Sequence, residues 1–269
     1  MTKTISAAAN PALANNLINQ AMAETPEQKE VQIKTPLDTV VTLPCGYLTA
    51  EGEVITEAEV RELTGKDEEA ISRTTSLGKA LITILQRGTV RIGDEKADDK
   101  LLDQLLSGDR DMLLLAILKV TFGNEVVIPS YCETCDEVKD ANVDLTTDIK
   151  VKVLTNPIEE RVFIVQGKNQ DITVQLPTGK AQKELAMASD KTVAELNTML
   201  LEHTVIRIGN SPVISKMQVQ NLSIVDRKKI IQELNRRVAG PQFDDLTVTC
   251  PECESEVHVP ISLGALFRF

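Results

Sequence analysis

Apolar positions first alternate with polar ones and then recur at helical spacing, and this change happens twice along the chain. In the first half, β-branched residues at 39–43 predict a strand, Leu77–Leu85 predicts a helix and Thr89–Ile92 predicts a further strand. A helix over Arg110–Phe122, apolar nearly all round, is expected at the centre of the first core, with Asp109 as its N-cap.

The second half repeats this order. Alternating residues predict strands at 161–165 and 171–176, and these are followed by helices, a strand over Val205–Ile208 and a helix over Ile224–Val238. Corresponding glycines, Asp-Arg pairs and cysteine pairs of the two halves lie 116 to 118 residues apart. We interpret the chain as a tandem duplication.

These elements predict an α+β fold of two tandem pseudo-symmetric repeats. Each repeat has a small antiparallel sheet and helices and ends in a Cys-x-x-Cys hairpin, and a shared metal site joins the two. The predicted parts are a flexible N-terminal arm at 1–30, a first repeat at 31–150 and a second repeat with an apolar C-terminal tail at 151–269. The arm either frays or orders on a partner, and the tail either packs on its own domain or inserts into a neighbouring subunit.

Four of the five cysteines form two pairs, Cys132 with Cys135 and Cys250 with Cys253. This spacing lets two thiolates bind one ion in a tight turn, and a second pair completes a tetrahedron. Because one pair offers too few ligands for a structural zinc, we expect one zinc site shared by both hairpins. An iron–sulfur cluster would use the same thiolates, and buried pairs without metal are the other alternative. Cys45 is interpreted as a packed side chain.

The composition of the chain narrows the range of functions that the protein could have. A formal net charge of −11 and a sequence pI near 4.8 oppose non-specific binding to nucleic acid. No apolar run of about 18 residues and no signal peptide is recognisable, so we expect no membrane insertion and folding in the cytoplasm. His203 and His258 lie in no catalytic motif, and nucleotide-binding loops are absent, so we expect no enzyme activity.

Short segments of the first half carry a resemblance to a known family. They are Leu43-Pro44-Cys45-Gly46, the stretch Arg61–Glu69, Asp109-Arg110 before a Leu-rich helix, Thr121-Phe122-Gly123, the first cysteine pair and Val143-Asp144-Leu145. Their order over residues 36–146 resembles the T-even phage baseplate protein family of contractile tails and related injection systems. The second half matches by its Arg-Ile-Gly, Asp-Arg and cysteine motifs, and Leu176–Gly179 is the expected counterpart of Leu43–Gly46.

The resemblance implies a non-enzymatic, hub-type structural or assembly component of a phage tail baseplate. Such a protein acts through contacts with other tail or baseplate proteins, which we assign to the N-terminal arm and the C-terminal tail. It is assembled in the host cytoplasm and then resides in the virion tail. Two alternatives stay open: a tail-assembly chaperone that is absent from the mature particle, and a zinc-ribbon regulator that binds nucleic acid, which the net charge opposes.

Overall fold

The computed structural model describes residues 39–188, 190–243, 246–250, 252–259 and 261–267. Within these ranges helices combine with antiparallel strands, which confirms the predicted α+β class. The strands are β1 Val40–Leu48, β2 Val54–Val60, β3 Thr89–Ile92, β4 Glu95–Lys96, β5 Glu125–Cys132, β6 Glu137–Asp144, β7 Lys150–Lys152, β8 Val162–Gln166, β9 Asp171–Gln175, β10 Val205–Ile208, β11 Ser211–Pro212, β12 Gly240–Gln242, β13 Thr247–Thr249 and β14 Glu256–His258. The helices are α1 Gly65–Ser72, α2 Leu77–Gly88, α3 Asp99–Gln104, α4 Ser107–Phe122, α5 Gly179–Met187, α6 Val193–Thr204, α7 Lys216–Gln220, α8 Ile224–Arg237 and α9 Leu263–Leu266. The predicted arm at 1–30 lies outside the described residues.

Two four-stranded sheets follow chain order, one as β1-β2-β3-β4 and the other as β8-β9-β10-β11. In each sheet two helices connect the second strand to the third, and a tight hairpin joins the third to the fourth. Three two-stranded ribbons complete the described strands: β5 with β6, β13 with β14, and β7 with β12. The β7–β12 ribbon pairs residues that are almost ninety positions apart, Lys152 with Gly240.

The third and fourth strands of both sheets are joined by the same glycine turn. Gly93 and Gly209 each have a φ of 57°, a left-handed conformation that costs glycine little because it has no Cβ. Each glycine N–H donates at 2.7 Å to a carbonyl of the second strand, that of Glu57 for Gly93 and that of Asp171 for Gly209. The predicted correspondence of the two Arg-Ile-Gly segments therefore coincides with matching backbone geometry.

Helix α4 is the centre of the first core, as its apolar sequence predicts. Leu113 and Ile117 are fully buried on it, among side chains from β1, β2, β3 and α2. The end of the chain also packs into this core, through Leu246, Val259 and Phe267. Phe267 is only 4% exposed, so the described part of the tail packs against its own chain, while Arg268 and Phe269 lie outside the described residues.

The second core joins the faces of β8, β9 and β10 to helices α6, α7 and α8. Cys45 of the first half also belongs to it. The thiol is buried and forms no disulfide, which confirms Cys45 as a packed side chain, and its burial and the nearby Asp109 carboxylate raise its pKa well above the usual value. Each core thus contains residues from both halves, and the predicted boundary between 150 and 151 stays a prediction.

The predicted N-cap of α4 is wrong. The helix begins at Ser107 and its N-cap is Leu106, which makes no capping bond through its side chain. Instead the Ser107 N–H donates at 2.9 Å to the carbonyl of Pro177 in the second half. Asp109 is fully buried, and its carboxylate accepts a hydrogen bond of 2.7 Å from the backbone N–H of Cys45. A long-range partner has therefore replaced the local cap.

The expected match of Leu176–Gly179 to Leu43–Gly46 is also wrong. Leu43–Gly46 lies within β1, whereas Leu176–Gly179 follows β9 and leads into α5. After the second strand of each sheet a Thr-Gly-Lys segment begins the next helix, Thr64–Lys66 for α1 and Thr178–Lys180 for α5. In both cases the threonine is the N-cap and the glycine is the first helical residue.

Candidate metal centre

Each cysteine pair lies at the tip of a two-stranded hairpin. Cys132 ends β5, and Cys250 follows β13 directly. The residue after each pair, Asp136 or Glu254, has a left-handed φ of 57° or 59°. This conformation is uncommon for residues other than glycine, and here it turns the chain tightly enough to present both thiols of a pair to one side. The two hairpin tips have the same local geometry.

The structure brings the four predicted sulfurs together. Cys132 Sγ lies 3.6 Å from Cys253 Sγ, and Cys135 Sγ lies 3.9 Å from Cys250 Sγ, while all four sulfurs lie within 4.8 Å of one another. Four sulfurs at about 2.3 Å from a tetrahedral ion would be about 3.8 Å apart. Sulfurs in a disulfide would be about 2.05 Å apart. The separations therefore suit a metal and exclude crosslinks in this structure.

Packing around the sulfurs shields them from water on one side. Cys132 and Cys250 are buried and contact Val257, while Cys135 and Cys253 are half-buried. Because metal–thiolate bonds are protected when water is kept away, a half-closed pocket of this kind suits a site that holds an ion permanently. The centre forms its own small core beside the two larger ones.

A serine and an ion pair support the centre from outside. The Ser255 hydroxyl lies 2.9 Å from the sulfur of Cys253 and 3.5 Å from that of Cys132, so it contacts both cysteine pairs. Lys139 of the first hairpin forms an ion pair of 2.9 Å with Glu252 of the second. These residues hold the two tips against each other. The sequence analysis missed them, and no sequence signal marks them beyond their closeness to the cysteines.

Electrostatics favours a cation at this position. The Ser255 hydroxyl and the Cys135 backbone lower the pKa of Cys132 from its usual value to about 6. The neighbouring thiols, first of all Cys253, raise the pKa of Cys135 above its usual range. Four sulfurs this close cannot all ionise beside one another unless positive charge lies between them. A divalent metal ion would supply that charge, so the residues fit the expected group.

The donor set limits what the centre could do. Four thiolates complete a tetrahedral ion and leave no position for substrate, which is typical of structural rather than catalytic metal sites. His258 does not join the cluster of ligating groups found among the described residues, and its backbone pairs with Thr247 across the hairpin. His203 lies elsewhere, with its Nε2 atom 2.9 Å from a carboxylate oxygen of Glu184. The chain thus brings four cysteines from two distant hairpins into one cluster that could hold a structural metal ion.

The chain belongs to the T4 bacteriophage base plate protein family, whose family model matches residues 38–208. This match extends well beyond the 36–146 region of the predicted resemblance, through β10 of the second sheet. It contains Cys132 and Cys135 but ends before Cys250 and Cys253. No curated protein matches the chain, and no solved structure matches it either.

Family membership supports a structural or assembly role in the phage baseplate. The family implies a location in the virion tail and suggests interaction with other phage tail proteins. In the part of the chain that the structure describes, no helix has the length and apolar character needed to cross a bilayer.

Proposed function

We propose that this chain is a non-enzymatic, hub-type structural component of the baseplate, built from two repeats that a four-cysteine zinc site locks together. The observation that carries the proposal is the meeting of Cys132 and Cys135 with Cys250 and Cys253, which follow 118 residues later in the chain. A metal that closes so long a loop fixes one hairpin against the other, and its binding free energy adds to the stability of the folded chain.

The repeat interpretation is supported by three features of the backbone. The two four-stranded sheets share one strand order and one arrangement of connecting helices. Gly93 and Gly209 form the same turn at equivalent positions. Asp136 and Glu254 adopt the same left-handed conformation after their cysteine pairs. Two copies of one surface can meet through self-complementary contacts, which makes a shared metal site a natural product of duplication.

The metal is tested by elemental mass spectrometry on protein purified without oxygen. We expect one zinc per chain, and we expect Cys250→Ser to lose it because only three thiolates would remain. Cys45→Ser is the matched control, since Cys45 is a buried free thiol away from the centre, and this variant should retain the metal. Detection of iron together with acid-labile sulfide would identify an iron–sulfur cluster instead of a zinc ion. Protein that contains neither metal would contradict the proposed metal site.

A chelator provides a second test of the same site. Removal of zinc should lower the melting temperature of the wild-type chain, because the folded state binds the ion far better than the unfolded chain does. Cys250→Ser protein should melt at a lower temperature from the start and should be insensitive to the chelator. A wild-type melting temperature that ignores complete metal removal would show that the ion is not structural.

The place of the protein in assembly is tested on purified phage particles. A structural component remains in particles after extensive washing and is found there by quantitative mass spectrometry in fixed ratio to other tail proteins. A tail-assembly chaperone would be found in infected cells and missing from particles. The net charge of −11 disfavours the alternative role as a nucleic-acid-binding regulator.

The proposed contacts with tail neighbours involve the N-terminal arm and the C-terminal tail, of which Phe267 also packs into the first core. Residues 1–30 precede the described residues, and their binding is tested by deleting them and measuring incorporation into particles. We expect the deleted chain to bind its zinc normally but to enter particles less efficiently. If the full-length chain and the chain without residues 1–30 entered particles equally well, the arm would have no role in the proposed contacts.

A further inference from the structure

Helix α5 of the second half lies across helices α2, α3 and α4 of the first. At its start the Gly179 N–H donates at 2.7 Å to the carbonyl of Leu105, and the buried Arg110 donates to the Gly179 carbonyl. A Cβ on Gly179 would overlap the Leu102 carbonyl oxygen and lie 2.6 Å from the Cδ and Nη1 atoms of Arg110. This first helical residue must therefore be a glycine for the two surfaces to meet.

Polar side chains continue the contact along one stripe of α5. Gln182 donates a hydrogen bond of 2.7 Å to Asp111, and Lys183 forms an ion pair of 3.1 Å with Asp103. The face formed by α2, α3 and α4 is thus acidic, and the helix that covers it contributes a lysine. Both partners belong to one chain, so this contact is a complete example of how such a helix packs on such a face.

The corresponding face of the second half, formed by α6, α7 and α8, is exposed. Five large apolar side chains, four in these helices and Ile214 just before α7, are more than half exposed: Val193 at 74%, Ile214 at 86%, Met217 at 68%, Ile224 at 74% and Val225 at 58%. Arg227, at the position of Arg110, donates to Thr198 at 2.7 Å and to the Val219 carbonyl at 3.2 Å within its own half. Exposed apolar side chains concentrated in this way indicate a surface that contacts another protein.

Helix α1 is at the position of α5, and among the described residues no other helix covers its contact stripe. Gly65 corresponds to Gly179, and a Cβ built on Gly65 meets nothing within 4 Å. The next residues of the stripe, Glu68, Glu69 and Ser72, are all exposed. No contact within the described chain requires a glycine here, although its equivalent in α5 is indispensable.

The charges on these two free surfaces are complementary. The second-half face presents the exposed Lys228 where the first-half face has Asp111. Helix α1 presents Glu68 where α5 has Gln182, and Glu69 follows it. The α6–α8 face thus has a basic residue where the α2–α4 face has an acidic one. Helix α1 has acidic residues where α5 has a glutamine and a lysine. The two surfaces therefore suit each other better than either suits a second copy of itself.

We propose that α1 of one copy docks on the α6–α8 face of a second copy, as α5 docks on α2–α4 within the chain. This inference rests on the repeat interpretation in the proposed function. The contact joins two different surfaces, so it is heterologous, and each new copy again presents one free helix and one free face. The chain would then assemble head to tail, into a ring if the rotation between copies closes it.

Sedimentation analysis of the full-length chain over a series of concentrations tests the contact. We expect the wild type to self-associate and two variants to weaken association about tenfold or more: Gly65→Leu on the helix and Lys228→Glu on the face. A Cβ built on Gly65 meets no described atom within 4 Å, and a circular dichroism melt of the variant distinguishes loss of assembly from unfolding. Lys100→Glu, an equal charge change at an exposed position of α3, is the control and should associate like the wild type.

A mixing experiment tests the head-to-tail geometry. Gly65→Leu protein keeps an intact face and Lys228→Glu protein keeps an intact helix, so the mixture should form pairs that neither variant forms alone. Combining Glu68→Lys with Lys228→Glu in one chain should restore part of the association, because the charges are exchanged rather than lost. A wild-type chain that is monomeric at all concentrations would overturn the proposal. This holds also if its α6–α8 face binds a different tail protein. Metal content and presence in particles are measured separately, so failure here leaves the proposed function to its own tests.

Discussion

Gly179 and Gly65 occupy equivalent positions, each as the first residue of a helix after a threonine N-cap, but their surroundings differ. Gly179 is buried between the Leu102 carbonyl and Arg110, whereas Gly65 borders open space. The same substitution to alanine at both sites therefore separates packing from helix propensity. We expect Gly179→Ala to destabilise the fold and Gly65→Ala to leave it unchanged or slightly more stable.

The magnitude follows from the contacts. Forcing an extra methyl group into a well-packed contact costs about 1–3 kcal/mol, and displacement of the charged Arg110 from its hydrogen bond costs about 1.5–3 kcal/mol more. Alanine returns up to about 1 kcal/mol as the better helix former. The net loss for Gly179→Ala is thus about 3 kcal/mol, while Gly65→Ala gains up to about 1 kcal/mol.

Urea denaturation followed by circular dichroism measures both variants, at protein concentrations where the chain is monomeric. The midpoint should shift at nearly constant slope, which indicates a change of stability rather than of unfolding mechanism. The melting temperature of Gly179→Ala should fall by roughly 6–12 °C, since about 1 kcal/mol corresponds to about 2–4 °C in chains of comparable size. Equal shifts in the two variants would refute the contrast between a covered and an open glycine.

Three further substitutions test the first core and two buried acids. Ile117→Ala removes a fully buried side chain, and we expect urea denaturation to show a loss of about 3 kcal/mol. The Arg61 and Arg87 guanidiniums hold the pKa of Asp67 well below its usual range, so their stabilisation is complete above about pH 4 and is lost as the pH falls further. Because both arginines are partly exposed, Asp67→Asn should cost about 2 kcal/mol at neutral pH and much less in acid, as measured by melting at several pH values. Burial raises the pKa of Asp109 to about 6. Ionisation of this carboxyl should therefore lower the free energy of unfolding by up to about 3 kcal/mol as the pH rises from about 4 to about 6. Asp109→Asn should remove this contribution and leave that of Asp111, whose pKa burial also raises to about 6. An unchanged pH profile would argue against the Asp109 carboxyl as a source of the fall.

Short sequence patterns predicted those elements whose structure depends on residues close together in the chain. Helix α4 was recognisable because its residues are apolar nearly all round. Helix α8 was also predicted, and in the structure Ser223 caps it by accepting a hydrogen bond from the Asp226 N–H at 3.0 Å. The four clustered cysteines were recognisable because Cys-x-x-Cys spacing is typical of metal sites. In each case the information lies within one or two turns of chain.

Contacts between distant segments were not predictable in this way. The hydrogen bond from Cys45 to Asp109 replaces a helix cap that the sequence indicates, and the Pro177 carbonyl supplies the partner that the helix start needs. Periodicity shows that a side chain is buried but not which core receives it, so the assignment of Phe267 to the first core required the structure. Ser255 was missed because a hydroxyl beside a sulfur leaves no mark on spacing or composition.

The completion of the first core by residues near the end of the chain bears on synthesis. Chains emerge at about 5–20 residues per second, and early segments commonly fold first. Here β1, β2 and α4 leave the ribosome long before Val259 and Phe267, which fill their core. Cys250 lies 118 positions after Cys132, so it is synthesised about 6–24 s later at that speed. Cys132 and Cys135 cannot meet the second cysteine pair before then. The first core can therefore be completed only after Phe267 has emerged, and a product terminated before Cys250 would lack both these core residues and two of the four clustered cysteines.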